Sequence, residues 1–313
     1  MTGRFDPYSL AGLTYLTHLE LGGLTEGVAT GGSISTLVDT AFLTSAYITD
    51  DYFNGGTCWI LNGGASDNGN EVARISDTTT GTQTIALADN IAAVEALAQY
   101  ALADRRYPLL SIISALNHAI YSLGKIIYTR TADYTGGASQ TEYPLVEQSD
   151  AGDLPVVIDA DAEVLEVWLQ TKLSDSNDNQ WVRYDGAWYI QKANIGTMNT
   201  LVFDYNPLTT HALKVVLRGQ HPALFQYGAR AHTTLDQGVP FQLVALRAAY
   251  HLLQNELAND ISHPRLVSMM ARIAEMEAKA QAEHTPLRVR RTPKVLNIYN
   301  PRYTYVRDEF RQP

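Results

Sequence analysis

Apolar residues arrive in two rhythms along this chain, and the switches between them divide it. From 33 to 88 the runs are short: "TCWILNG", "NEVARISD" and "TQTIALAD", bounded by "NGG", "ASDNGN" and "TTTGT". Clusters of Asn, Gly, Asp and Thr around runs of this length mark strands and tight turns. Three of them predict a small β-meander or barrel. Residues 1–32 are rich in Gly and Thr without a sustained period and read as an extended N-terminal arm.

The rhythm lengthens after residue 88. "DNIAAVEALAQYALADRR" is alanine-rich behind an Asp or Asn cap and predicts a helix. In "YPLLSIISALNHAIYSLG", Leu109, Ile113, Leu116, Ile120 and Leu123 recur at spacings of four and three. Pro108 stands at the start and Gly124 where a glycine cap belongs. A helical segment over 89–124 follows. Seven or so short runs between 125 and 232, among them "GKIIYTRTADY", "EVLEVWLQTKL" and "ALKVVLRG", predict an antiparallel β-sandwich. Within it, Asp185-Gly186 predicts a two-residue hairpin in which Arg183 faces Trp188 and Val182 faces Tyr189.

From 238 to 284 the helical period returns. Leu243, Leu246, Tyr250, Leu253 and Leu257 form one stripe, and Leu266, Met270, Ile273, Met276 and Ala280 a second. Two such stripes joined by "ANDISHP" predict a helical hairpin. Residues 285–313, broken by Pro286, Pro293 and Pro301, form a C-terminal arm. The fold class is therefore α+β: helical segments, a small N-terminal β-domain, a larger β-sandwich and extended terminal arms.

Composition narrows the function more than the fold. The 313 residues are 45% apolar and 18% charged, with a net charge of -10. These are globular proportions, and the charge argues against a nucleic-acid surface spread over the whole molecule. A single cysteine, Cys58, excludes an internal disulfide and suits a reducing compartment. The N-terminus lacks a signal-peptide pattern, and no run of 18 apolar residues predicts a membrane span.

The stretch "DYFNGGTCWILNGG", residues 51–64, poses the main chemical question. A phosphate loop places its glycines between a strand and a helix. Here both Asn-Gly-Gly steps flank one strand, so they read as turns. The eight histidines, at 18, 118, 211, 221, 232, 251, 263 and 284, include no His-x-x-x-His pair. His118 and His251 read as boundary residues of their helices, and His221 and His263 as turn punctuation before proline. Asp50-Asp51 and "DSNDN" (175–179) lack calcium-loop spacing and read as solvated loops. No nucleophile elbow is visible. No catalytic residue, cofactor or metal is expected.

Charge is distributed unevenly. Residues 285–313 hold six arginines and one lysine against Asp308 and Glu309, a balance of +5. That leaves 16 basic and 31 acidic residues, or -15, in 1–284. The arm reads either as a solvated tail or as a segment that orders on a partner. Its apolar and aromatic content favours the second. Its partner-binding residues are then Arg288, Arg290, Arg291, Lys294, Tyr299, Arg302, Tyr303, Tyr305, Arg307 and Phe310.

An ordered series of motifs adds a resemblance. "STLVDTAFLTSAYITDDYFNGGTCWILNGG" leads into "EVARISDTTTGTQTIAL", then "LLSIISALNHAIYSLGKI", "SQTEYPLV", and "LKVVLRGQHPALFQYG" followed by "VPFQLVALRAAYHLLQ". The series covers roughly residues 33–255 and resembles structural proteins of tailed bacteriophages, with the proline of "EYPLV" placed before rather than after the leucine. Within that class the chain is similar to head–tail adaptor, or neck, proteins. The resemblance implies a non-catalytic virion subunit in a homo-oligomeric ring of dodecameric type. It implies the portal protein and tail or neck proteins as partners, with DNA passing through the lumen without sequence-specific contacts and no membrane partner. Another virion component, in the tail, baseplate or capsid decoration, is the alternative. A glycan-binding sandwich using Trp168, Trp181 and Trp188 is a third reading.

Overall fold

The computed structural model describes residues 6–41, 48–62, 69–132, 141–144, 146–147, 156–157, 163–170, 181–191, 200–203, 213–225, 233–259 and 264–283. The fold is α+β. In chain order the first elements are helix α1 (Leu10–Leu21) and strands β1 (Thr25–Val28), β2 (Gly31–Gly32), β3 (Thr36–Val38), β4 (Thr57–Asn62), β5 (Glu71–Thr79), β6 (Thr84–Leu87) and β7 (Gln99–Ala103). Helix α2 (Leu109–Ser122) precedes β8 (Ile126–Ala132), β9 (Glu142–Pro144), β10 (Val146–Glu147), β11 (Val156–Val157) and β12 (Glu163–Gln170). Then come β13 (Trp181–Arg183), β14 (Trp188–Gln191), β15 (Thr200–Phe203), β16 (Leu213–Gly219), α3 (Phe241–Asn259) and α4 (Pro264–Glu283).

Within the expected N-terminal arm, residues 10–32 are ordered structure. Ser9 caps α1 by accepting the Gly12 N–H at 2.9 Å, and Gly22, at φ +77°, ends it. The buried stripe is Leu10, Leu13, Thr14, Thr17 and Leu21. Two of its positions are threonines, which hides the period in the sequence. Their hydroxyls donate to the carbonyls of Leu10 and Leu13, each at 2.8 Å, so the polar atoms are satisfied within the core.

Seven antiparallel strands follow the order β1-β7-β4-β5-β6-β3-β2. The two end strands are separated in sequence by Ala29 and Thr30 alone. Ala29 donates to the Ala98 carbonyl and Thr30 to that of Val38, both at 2.8 Å. One bent segment therefore pairs on both sides, and the sheet closes on itself as a barrel, which removes its free edges. Leu37, Phe53, Cys58, Ile60, Ile75, Ile85, Tyr100 and Leu102 fill the interior.

The helix expected over 89–106 does not form: residues 89–98 are irregular, and a strand follows. Gln99–Ala103 runs between β1 and β4. Tyr100 and Leu102 point into the barrel, while Ala101 and Ala103 face the helices and are fully buried. Alanine here is a matter of space, since only a methyl group fits between sheet and helix, so tertiary packing overrides helix propensity. Helix α2 does form as expected, with Leu109, Ile113, Leu116 and Ile120 buried and Gly124 at φ +66° just past its end.

The second β-region contains a four-stranded sheet, β13-β12-β16-β8, and a three-stranded sheet, β14-β15-β9, besides the β10-β11 pair. Val164, Val167, Val215 and Leu217 of the first and Trp188, Leu201 and Phe203 of the second share one apolar cluster. The predicted Asp185-Gly186 hairpin does not pair. Arg183 lies opposite Trp168 in one sheet, whereas Trp188 lies opposite Phe203 and Tyr189 opposite Val202 in the other. The segment crosses between sheets, and Trp188 lies buried in the shared core opposite Phe203.

Helices α3 and α4 pack against each other as expected, and Leu243, Leu246, Leu253, Leu266 and Ile273 are buried. The cluster that holds them also takes in α1, α2, the helix-facing side of the barrel and both sheets of the second region. The four helices thus sit in the core that joins the two β-units.

Candidate interaction surfaces

The ten arm residues predicted to bind a partner, from Arg288 to Phe310, lie outside the described residues. What the structure does place is their point of departure. Helix α4 ends at Glu283, on the rim of a groove of about 310 Å³ between α1, α3 and α4. Leu16, Phe241, Leu246, Met276 and Ala280 supply its apolar surface, and Glu20, Lys279 and Glu283 its charges. Helix α4 is fixed by side-chain pairs at this seam. Arg247 donates from Nε to Glu277 at 2.8 Å, and Arg272 reaches Glu20 of α1 at 3.2 Å.

A second groove, of about 550 Å³, runs between α2 and α3. Glu256 organises one end. It accepts from Arg106 Nε at 2.7 Å and from the Tyr107 hydroxyl, drawing the loop before α2 onto α3. Burial and that hydrogen bond both push the Tyr107 hydroxyl up from its ordinary value. Beyond it, His118 of α2 and His251 of α3 stack with centroids 4.3 Å apart and planes 17° from parallel. Burial first, and His118 second, lower the His251 pKa. The sequence places each histidine beside an apolar stripe; the contact between two helices so distant in the chain comes from the fold.

The 51–64 stretch behaves as its turn chemistry requires. Gly55 takes φ +77°, and a Cβ on Gly56 would stand 2.0 Å from the Ala103 carbonyl oxygen. Asn54-Gly55-Gly56 therefore makes a close turn into β4; Gly63 and Gly64 lie outside the described residues. Cys58 faces the barrel interior and is 1% exposed, and burial pushes its thiol up to about 12. The neighbouring acids are engaged locally: Asp50 Oδ1 accepts from Thr80 N and Oγ1, each at 2.7 Å. Among the described residues no group of three or more His, Cys, Asp or Glu side chains is arranged to hold a metal ion.

The three tryptophans do not form one platform. Trp188 is buried in the shared core. Trp168 and Trp181 belong to the four-stranded sheet, where Trp168 donates to Glu166 at 3.1 Å and the Lys214 ammonium sits 5.0 Å from the Trp181 ring centre. His221 exceeds its expected role as punctuation. It is 3% exposed, its Nδ1 donates to the Pro222 carbonyl at 2.7 Å, and its Nε2 accepts the Asp236 N–H at 3.1 Å. The Asp236 carboxylate also lies 3.2 Å from Nε2, so the ring clamps the Pro222 turn to the segment before α3.

Among the described residues no helix is long and apolar enough to cross a membrane. Compared with protein families, curated proteins and solved structures, the chain matches none.

Proposed function

We propose that this chain is a non-catalytic virion subunit of a tailed bacteriophage, forming a ring at the neck that joins portal to tail. The observation that carries the reading is the order of motifs from residue 33 to 255. The Asn-Gly-Gly turn, the strand after it, the Arg-Ile-x-Asp strand and the Gly-x-x-x-Ile strand are consecutive, and β4, β5 and β6 are also neighbours in the barrel.

Physical features add support. A ring subunit presents two different surfaces to its neighbours, and two helical grooves are available on this one. A body carrying -15 suits the wall of a channel through which DNA slides without adhering. An arm carrying +5 with interleaved tyrosines suits attachment to a protein partner.

Removing residues 285–313 tests the reading of the arm. The truncated chain is expected to fold, with the same circular-dichroism spectrum, and to be missing from purified particles. Normal occupancy of the truncated chain would overturn the arm's role.

A further inference from the structure

We propose that, before assembly, the C-terminal arm of each chain docks back into its own groove between α1, α3 and α4. The groove has an apolar floor that includes Met276, 37% exposed, and its rim carries Glu20, held by Arg272 at 3.2 Å, and the exposed Glu283, 4.0 Å from Lys279. The occupant follows from where the chain goes next. Glu283 is both the last residue of α4 and part of the groove, and 30 residues of net charge +5 continue from it.

The first residues of that continuation have the right pattern. Pro286 cannot extend the helix and biases Thr285 away from helical backbone. After it, Leu287-Arg288-Val289-Arg290 alternates apolar and cationic residues. In extended backbone such alternation puts two apolar side chains on one face and two guanidinium groups on the other. The apolar pair then covers the floor and leaves the arginines on the solvent side, where their long side chains can reach Glu283 at the rim. Lengths agree as well. From Glu283 back to Met276 the helix rises ~10 Å at 1.5 Å per residue. The four to six residues from Glu283 to Leu287 and Val289 span up to ~20 Å, enough to double back. A tether this short holds the arm at an effective concentration on the order of millimolar, which favours the chain's own arm over a second copy's.

The docking itself does not depend on the adaptor reading; only its use does. If the arm binds a portal or neighbouring subunit, storage in the groove delays that contact until the partner competes for it.

Limited trypsin digestion of the full chain tests the docking, because Arg288, Arg290 and Arg291 are cleavage points. Cleavage there should be slow in the wild type and about tenfold faster in Met276→Glu, as for a site closed nine-tenths of the time. Val289→Asp, which lies in the arm and leaves the helices intact, should give the same acceleration. Equal rates in the wild type and Val289→Asp would overturn the proposal. Protection that grows with protein concentration would also overturn it, since the occupant would then be another copy's arm. Both readouts use isolated protein, so they stand apart from particle incorporation.

Discussion

His18 is enclosed by the rings of Trp59 and Tyr107, at centroid distances of 5.3 and 5.9 Å, and its Nδ1 meets no hydrogen-bond partner. Burial lowers its pKa to about 4, and the nearby charge of Asp104 opposes that shift without cancelling it. In the unfolded chain the ring takes a proton near pH 6.5, so the unfolded state binds more protons between the two values. Stability is therefore complete above pH 6.5 and falls as pH drops towards 4, by up to about 3 kcal/mol from this residue. Urea unfolding of His18→Phe across that window should show a flatter profile than the wild type; superimposable slopes would remove His18 from the account. A second residue-scale case is Tyr107, whose hydroxyl donates to Glu256. Tyr107→Phe should cost about 1–2 kcal/mol at neutral pH, measured by the same unfolding. An unchanged midpoint would mean that the contact contributes nothing net.

At the scale of elements, legibility followed what each residue type can disguise. Helices α2, α3 and α4 were readable because leucine, isoleucine and methionine mark their stripes without ambiguity. Helix α1 was not, because Thr14 and Thr17 occupy core positions and satisfy their hydroxyls on their own helix. Strand β7 has the composition of a helix because Ala101 and Ala103 fill buried positions where space, not period, decides. The two meanings of alanine make different predictions. On an exposed helix Ala101→Leu would be nearly neutral, whereas between β7 and the helices it should destabilise by about 1–3 kcal/mol. Thermal melting of that variant decides between them. The Asp185-Gly186 turn misled in another way, since turn chemistry says that the chain reverses but not which strand it then meets.

On the scale of the whole molecule, four helices share one core with the barrel and with both sheets of the second β-region. Contacts such as His118 on His251, or Glu256 with Arg106 and Tyr107, join residues more than 130 positions apart. They are invisible to motif and period alike, so the helical grooves are products of the fold. The arm is the opposite case: its charge and aromatic content are plain in the sequence. The two meet at Glu283, where the helical body ends beside an apolar groove.

We propose above that this chain builds the ring between portal and tail. Cryo-electron microscopy of particles that contain this chain tests that proposal most directly. The account predicts density for a closed ring of this chain around the DNA channel, directly beneath the portal. Particles whose neck is complete without it, or density for it on the capsid surface or tail tip, would contradict the claim.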